Sequence, residues 1–391
     1  MLRRLLQQIS GKMLLLCSLS FLFWACGSTA PVENALPEKP KNVILLIGDG
    51  MGLSQISAAM FSNNGKLNLE QMPVLGFHKS YSYDDLVTDS AAGATAFACG
   101  IKTFNGAIGV DKDTLGVKTI LEEAEENGLA TGLIATSTIV HATPAAFIAH
   151  VVSREQYEEI AVDMLKTPVD LLIGGGKKYF DRREIDNRNL YEEFAQKGYK
   201  VTDYSQEDLH EMRWDPSENL LYLTADKHPL NVAAGRDYLP FATRRGLEFL
   251  EKRGKDKGFF IMIEGSQIDW ACHANDGKLA IKEALDFDRA VGEALNFARS
   301  RGNTLVIVTA DHECGGMALN PGSKMNKVET AFTTINHTAS MIPVFAYGPM
   351  SKQFAGIFEN TSINQKMRRA LGFVEQKSPP FQGSAKGQEK R

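Results

Sequence analysis

Cysteine is scarce in these 391 residues: five occur, and no two form a CxxC pair. Cys17 and Cys26 fall in the first 30 residues. Cys99, Cys272 and Cys314 remain, far apart and odd in number. This pattern gives no support to a disulfide framework or a CxxC-type zinc cluster, and reads as three buried free thiols. A large excess of one charge is also missing, since the formal net charge is −4. No Lys/Arg-rich block or basic–aromatic stripe appears, so nucleic-acid binding has no footprint here. No internal repeat is visible. What is present is an ordinary globular balance, 43% hydrophobic and 23% charged, enough for a sizeable core in one large α/β domain or two smaller ones.

The longest leading apolar run, Met13–Ala25, has 13 residues, well short of the roughly 20 that span a membrane. Arg3, Arg4 and Lys12 precede it, so residues 1–25 read as a signal peptide. Ala25-Cys26-Gly27 resembles a bacterial lipoprotein cleavage box, which would make a lipidated Cys26 the first mature residue; a plain cleaved signal and an uncleaved anchor are the other readings. Residues 26–41, rich in Pro and small side chains, read as a tether. Residues 374–391 are polar, with two Pro and several Lys, and read as a disordered tail. The folded domain is then 42–373.

Within it, β-branched apolar runs bounded by Gly, Asp or Thr predict buried strands at Val43–Ile47, Thr131–Ala135, Leu171–Ile173, Phe259–Ile263, Leu305–Thr309 and Val344–Ala346. Helices are predicted at Thr119–Asn127, Phe241–Arg253 and Ile281–Arg301, each stopping at a Gly. The alternation predicts a mainly parallel sheet covered on both faces. The polar stretch Asp181–Asp237 reads as a surface excursion or a small subdomain.

Polar residues cluster just after these strands: Asp49, then His141 and Thr143, then Glu264, then Asp311 and His312. Open parallel sheets bind ligands at the carboxyl ends of their strands, so these groups should share one edge. Asp269 and His273 are four apart and would share a helix face, able to grip one ion. Carboxylate and imidazole donors together suit zinc. His337 lies just before the last strand. Taken singly, Asp49 also reads as a turn residue, and the others as caps, surface groups or loop starts. Taken jointly, Asp49, Asp269, His273, Asp311, His312 and His337 supply the six O/N donors of a two-zinc hydrolytic site. Asp89-Ser90 precedes an Ala-rich stretch, which puts Ser90 at a helix N-terminus, where an alkoxide or phosphate is favoured. His141–Ala146 reads as a loop entering a helix that leads to Arg154, a candidate phosphate clamp. His78, His150, His210 and His228 carry no such partners and are given no role.

Together, Ile47–Gly52, Asp89–Thr95, His141–Arg154, Glu264–His273, Thr309–His312 and His337 resemble the alkaline phosphatase family in identity and order. The resemblance implies a three-layer α/β/α sandwich around a large, mostly parallel sheet, and hydrolysis of phosphate monoesters through a phosphoserine at Ser90. It implies zinc at Asp269, His273 and His337, and a second zinc at Asp49, Asp311 and His312 that also contacts Ser90. It implies magnesium at Asp49, Thr143 and Glu264, with Arg154 binding phosphate and Asp89 positioning it. His141 stands where enteric bacterial members have Asp, and Trp270 where they have Lys. Only 24 residues separate His312 from His337, too few for the crown insert of some relatives. A homodimer in the periplasm or at the outer membrane, with small phosphomonoesters as substrates, is the implied setting. A phosphodiesterase or sulfatase of the same superfamily is the alternative enzyme, and a lipid-anchored metal- or phosphate-binding protein the non-enzyme one.

Overall fold

Every residue of Asn42–Gly48 (β1) is buried. Val43, Leu45 and Ile47 enter one hydrophobic core, and Ile44 and Leu46 enter another. A strand buried on both faces belongs at the centre of a sheet with helices above and below. The structure, a computed structural model, describes residues 38–373. The signal peptide, Cys26, most of the tether and the 374–391 tail lie outside the described residues.

The remaining strands are β2 (Val74–Lys79), β3 (Ala130–Thr138), β4 (Leu171–Gly175), β5 (Tyr199–Asp203), β6 (Asn219–Leu223), β7 (Phe259–Gly265) and β8 (Thr304–Thr309). Two-residue strands β9 (Glu313–Cys314), β10 (Ala318–Leu319), β11 (Thr330–Ala331) and β12 (His337–Thr338) follow. Last come β13 (Ile342–Tyr347) and β14 (Gly356–Glu359). Among the described residues, ten strands form one sheet in the order β14-β2-β13-β8-β1-β7-β3-β4-β6-β5. Its pairings are parallel except those of β13, which runs antiparallel to both β8 and β2. Helices Ser90–Cys99, Ile120–Glu126 and Thr361–Leu371 pack on the first core; Leu53–Ser62, Tyr238–Gly254 and Gly277–Arg301 pack on the second. This is the expected three-layer α/β/α arrangement.

All six predicted strands are present, each one to four residues longer than its apolar run. The helix after Thr119 starts as predicted, with Thr119 and Glu122 exchanging capping-box hydrogen bonds. The second helix ends at Gly254 as predicted, with the glycine as its last residue and Lys255 following at φ 40°; its start lies earlier, at Tyr238. Asp181–Asp237 is not a separate excursion. Its strands β5 and β6 extend the main sheet beyond β4. Their pattern was hidden because the strands are short and edge-ward, so polar residues such as Lys200 and Asn219 are tolerated. The tether boundary also moves inward, because the Lys41 amide already donates to the Asn303 carbonyl at 2.7 Å.

Candidate active site

Central strands β1, β3, β7 and β8 end side by side, and each delivers a polar group there. Asp49 follows β1 directly. Its neighbour Gly50 has φ +70°, and a Cβ at that position would sit 2.8 Å from the Cα and a carboxylate oxygen of Asp269. Only glycine permits that turn and that approach. Glu264 lies inside β7 rather than after it, at the register position of Ile47 and Ala135. Asp311 and His312 leave β8. Asp269 and His273 sit on the helix Gln267–His273, with His273 Nε2 3.2 Å from Asp269 Oδ2. His337 returns on β12, which pairs with β9.

These groups converge in three sets. The ligand atoms of Asp269, His273 and His337, with the Cys314 sulfur, all lie within 4.8 Å of one another. So do those of Asp49, Asp311 and His312, and those of Asp49, His141 and Glu264. In the first set, His273 Nδ1 is 2.5 Å from the Ile335 carbonyl and His337 Nδ1 is 2.9 Å from the Thr88 carbonyl. A carbonyl only accepts, so both Nδ1 atoms carry a proton, and each ring in its neutral form presents the lone pair of its Nε2. Those two Nε2 atoms face each other at 3.0 Å. In the neutral rings the two lone pairs repel unless a cation, a proton or a metal ion, lies between them. Ligands on a tetrahedral zinc with bonds of about 2.0–2.1 Å would be about 3.3 Å apart. The donor set therefore fits a metal. Cys314, read from sequence as a plain buried thiol, borders this set and donates to the Asp269 carbonyl at 3.6 Å.

Electrostatics point the same way. Asp49, Glu264, Asp269 and Asp311 are all buried. Burial, then Asp311, Asp269 and Glu264, drive the Asp49 carboxyl well above its usual range; Arg154 offsets only part of this. Burial lifts Glu264 to about 7. Burial also acts against Asp269 and Asp311, but His273 beside the one and His312 beside the other hold them below normal. Burial and the neighbouring His312 push His337 down to about 4. Asp49 Oδ2, Thr143 Oγ1, Glu264 Oε1, Asp311 Oδ2 and the Nδ1 atoms of His141 and His312 have no hydrogen-bond partner among the described residues. Buried polar atoms left unpaired are costly, and so many in one place is the signature of a cation-binding cavity.

Ser90 opens the helix Ser90–Cys99, with Asp89 as N-cap accepting from the Ala92 amide. Its hydroxyl is 3.2 Å from His312 Nε2 and 3.5 Å from Asp49 Oδ1. The positive end of the helix dipole adds to the field at this oxygen. Arg154 Nη1 donates to Asp89 Oδ2 at 3.0 Å, and its Nη2 lies 3.3 Å from His141 Nε2. The Pro144 helix is a single turn, Ala142–Ala145, so Arg154 sits on the irregular chain beyond it rather than at the end of a longer helix. Asp49, Glu264, Asp311 and His312 form the buried floor; His273, His337, Trp270 and Arg154 are partly exposed and frame the opening.

The sequence reading missed His228. Its ring packs edge-on against Trp270 at 4.7 Å and His141 at 5.7 Å between centroids, so three rings enclose one side of the site. His228 comes from a loop after β6 without a carboxylate at ligand spacing, and nothing in the local sequence signals it.

The family model described as Alkaline phosphatase matches residues 40–330 and 320–373. The chain is 35% identical to "Alkaline phosphatase 3" of Bacillus subtilis (strain 168), covering 92% of this chain and 96% of that protein. It is 33% identical to "Alkaline phosphatase" of Escherichia coli (strain K12), covering 88% and 89%. Among solved structures, the alkaline phosphatase of the Antarctic bacterium TAB5 superposes with a TM-score of 0.80 at 43% identity, over 86% of this chain and 99% of that one. A His-to-Asp variant of that enzyme, described with magnesium bound in its M3 site, gives 0.79 at 42% identity and the same coverage.

Proposed function

This chain belongs to the alkaline phosphatase family, metal-dependent hydrolases of phosphate monoesters, and from that premise we propose that Ser90 is its nucleophile and Arg154 its phosphate clamp. One observation carries the reading more than any other: two imidazole Nε2 atoms held face to face at 3.0 Å, beside buried carboxylates and a helix-terminal serine. Asp269, His273 and His337 would hold one zinc, and Asp49, Asp311 and His312 the second. Asp49, Thr143 and Glu264 would hold magnesium, which prefers oxygen donors. His141 adds a nitrogen beside that third set, a donor that favours zinc. Competition between the two ions for the third set tests its identity: magnesium binding there with zinc unable to displace it supports the assignment.

Bound in these sets, the ions supply Lewis acidity, lowering the pKa of a hydroxyl or water and offsetting phosphate charge. The chain's own residues do the rest. Arg154, braced by Asp89, presents its guanidinium to two phosphate oxygens. Ser90 Oγ gives up its proton, attacks phosphorus in line and forms a P–O bond as the bond to the leaving oxygen breaks, and that proton ends, by way of solvent, on the departing alkoxide to give the alcohol. Water then attacks the phosphoserine from the opposite side, the Ser90–phosphorus bond breaks, and Ser90 regains a proton. The floor excludes solvent, so these charges interact strongly.

The test compares p-nitrophenyl phosphate, its bis-ester and its sulfate in wild type and Ser90→Ala. Preference for the monoester, a trappable phosphoserine, and loss of several orders of magnitude in the variant are expected. Unchanged turnover in Ser90→Ala would reject the nucleophile.

Export with a lipid on Cys26, and a homodimer, belong to the same proposal. The Met13–Ala25 run before Ala25-Cys26-Gly27 supports the first, and family membership the second. Release of Cys26→Ser from the membrane fraction, and a dimer mass in solution, are the expected results; a membrane-bound variant or a monomer would contradict them.

A further inference from the structure

Glu313 follows the His312 ligand position directly, yet its carboxylate turns away from the cleft. It is buried and accepts four hydrogen bonds. Oε1 accepts from Gln55 Nε2 at 2.8 Å and the Met317 amide at 3.1 Å. Oε2 accepts from the Gly316 amide at 3.2 Å and from the Thr338 hydroxyl. Gln55 Nε2 also donates to the Cys314 carbonyl at 2.7 Å and lies 3.7 Å from the Cys272 sulfur, next to His273.

These contacts join the segments that carry the first set of donors. Asp311 and His312 are anchored independently, because they continue β8 with β1 and β13 on its flanks. His337 lies outside the main sheet, where the hydrogen bond of its own Nδ1 to the Thr88 carbonyl orients the ring. It sits on the two-residue strand β12, paired only as His337 with Cys314 and Thr338 with Glu313. Asn336 before it, and Ala339 and Ser340 after Thr338, are exposed. The part-buried Thr338–Glu313 hydrogen bond ties the residue next to His337 to the β9 segment, and a charged acceptor makes it strong.

We propose that Glu313 is a positioning residue: through Thr338 it sets His337 against His273 and Asp269, and so tunes the affinity of that donor set for zinc without touching the ion. The proposal rests on the metal assignment above. Outer partners of metal ligands are typically worth a factor of about 10–100 in affinity.

The test measures zinc binding to the full mature chain by chelator competition, comparing wild type, Glu313→Gln, Thr338→Val and His337→Ala. Glu313→Gln should weaken one zinc site by about 10–100-fold, and that site should be the one His337→Ala lacks. Thr338→Val, which deletes a single donor and is the gentler change, should weaken the same site to a smaller degree. Excess zinc should restore turnover in both. Unchanged affinities would overturn the proposal. So would a fall at both zinc sites together with lower melting of the metal-free protein, which marks a purely structural role. A wild type that binds no zinc would overturn the metal assignment itself, and this proposal with it.

Discussion

Two buried charged clusters lie in the same fold and solve the same problem differently. In the loop before Tyr238, Arg236 Nη2 donates to Glu283 Oε2 at 2.7 Å and Asp286 Oδ2 at 2.8 Å. Arg289 Nη2 donates to the other Asp286 oxygen at 2.7 Å, and the Val232 amide to Glu283 Oε1 at 2.8 Å. Two carboxylates there meet two guanidinium groups, and every carboxylate oxygen is used. At the strand ends, Asp49, Glu264, Asp269 and Asp311 are buried together with Arg154 as their guanidinium neighbour, and several oxygens stay unpaired. The first cluster answers its carboxylate charge within the protein, leaving only Arg236 Nε and Nη1 without partners among the described residues. The second becomes complete only with cations from outside. Burial alone is therefore not the mark of a functional site; uncompensated burial is.

That contrast can be broken by removing ions. A strong chelator should abolish phosphomonoester hydrolysis and lower the melting temperature, because bound metal stabilises the folded state by linkage. The Arg236 cluster should be indifferent to it. Activity and melting that survive exhaustive chelation with no metal left would erase the distinction. The converse change is Arg236→Met. Stripping the guanidinium from buried Glu283 and Asp286 should cost about 3–5 kcal/mol in stability, read by denaturant unfolding. Metal content and turnover per folded molecule should stay near wild type. A smaller effect is expected for Arg154→Ala, which removes charge-assisted hydrogen bonds to phosphate worth about 1.5–3 kcal/mol. Inhibition by inorganic phosphate should weaken by about 10–100-fold, and unaltered inhibition would show that the clamp lies elsewhere.

Sequence patterns exposed the paired and unpaired regions unequally. Strands such as β1 and β8 were legible because burial on both faces forces an unbroken apolar run. The donors Asp49, Asp311 and His312 were legible because they interrupt such runs at their carboxyl ends, where backbone geometry points outward to a ligand. Strands β2 and β5 were not, since Gly76, His78 and Lys200 break their pattern: β2 lies between β14 and β13 with His78 buried against the Ala310 carbonyl, while β5 is an edge strand that tolerates Lys200. Glu313 was invisible because a glutamate after His312 looks like a solvated loop residue; its four donors come from positions 55, 316, 317 and 338. His228 was hidden likewise, because its partners are rings from distant segments. Residues that act through long-range contacts leave no local periodicity to read.

The most direct measurement is X-ray diffraction from zinc-loaded crystals on either side of the zinc absorption edge. Two strong anomalous peaks are expected, one among Asp269, His273 and His337, the other among Asp49, Asp311 and His312 within reach of the Ser90 hydroxyl. Fully loaded crystals with both positions blank, or with the peaks elsewhere on the molecule, would contradict the account.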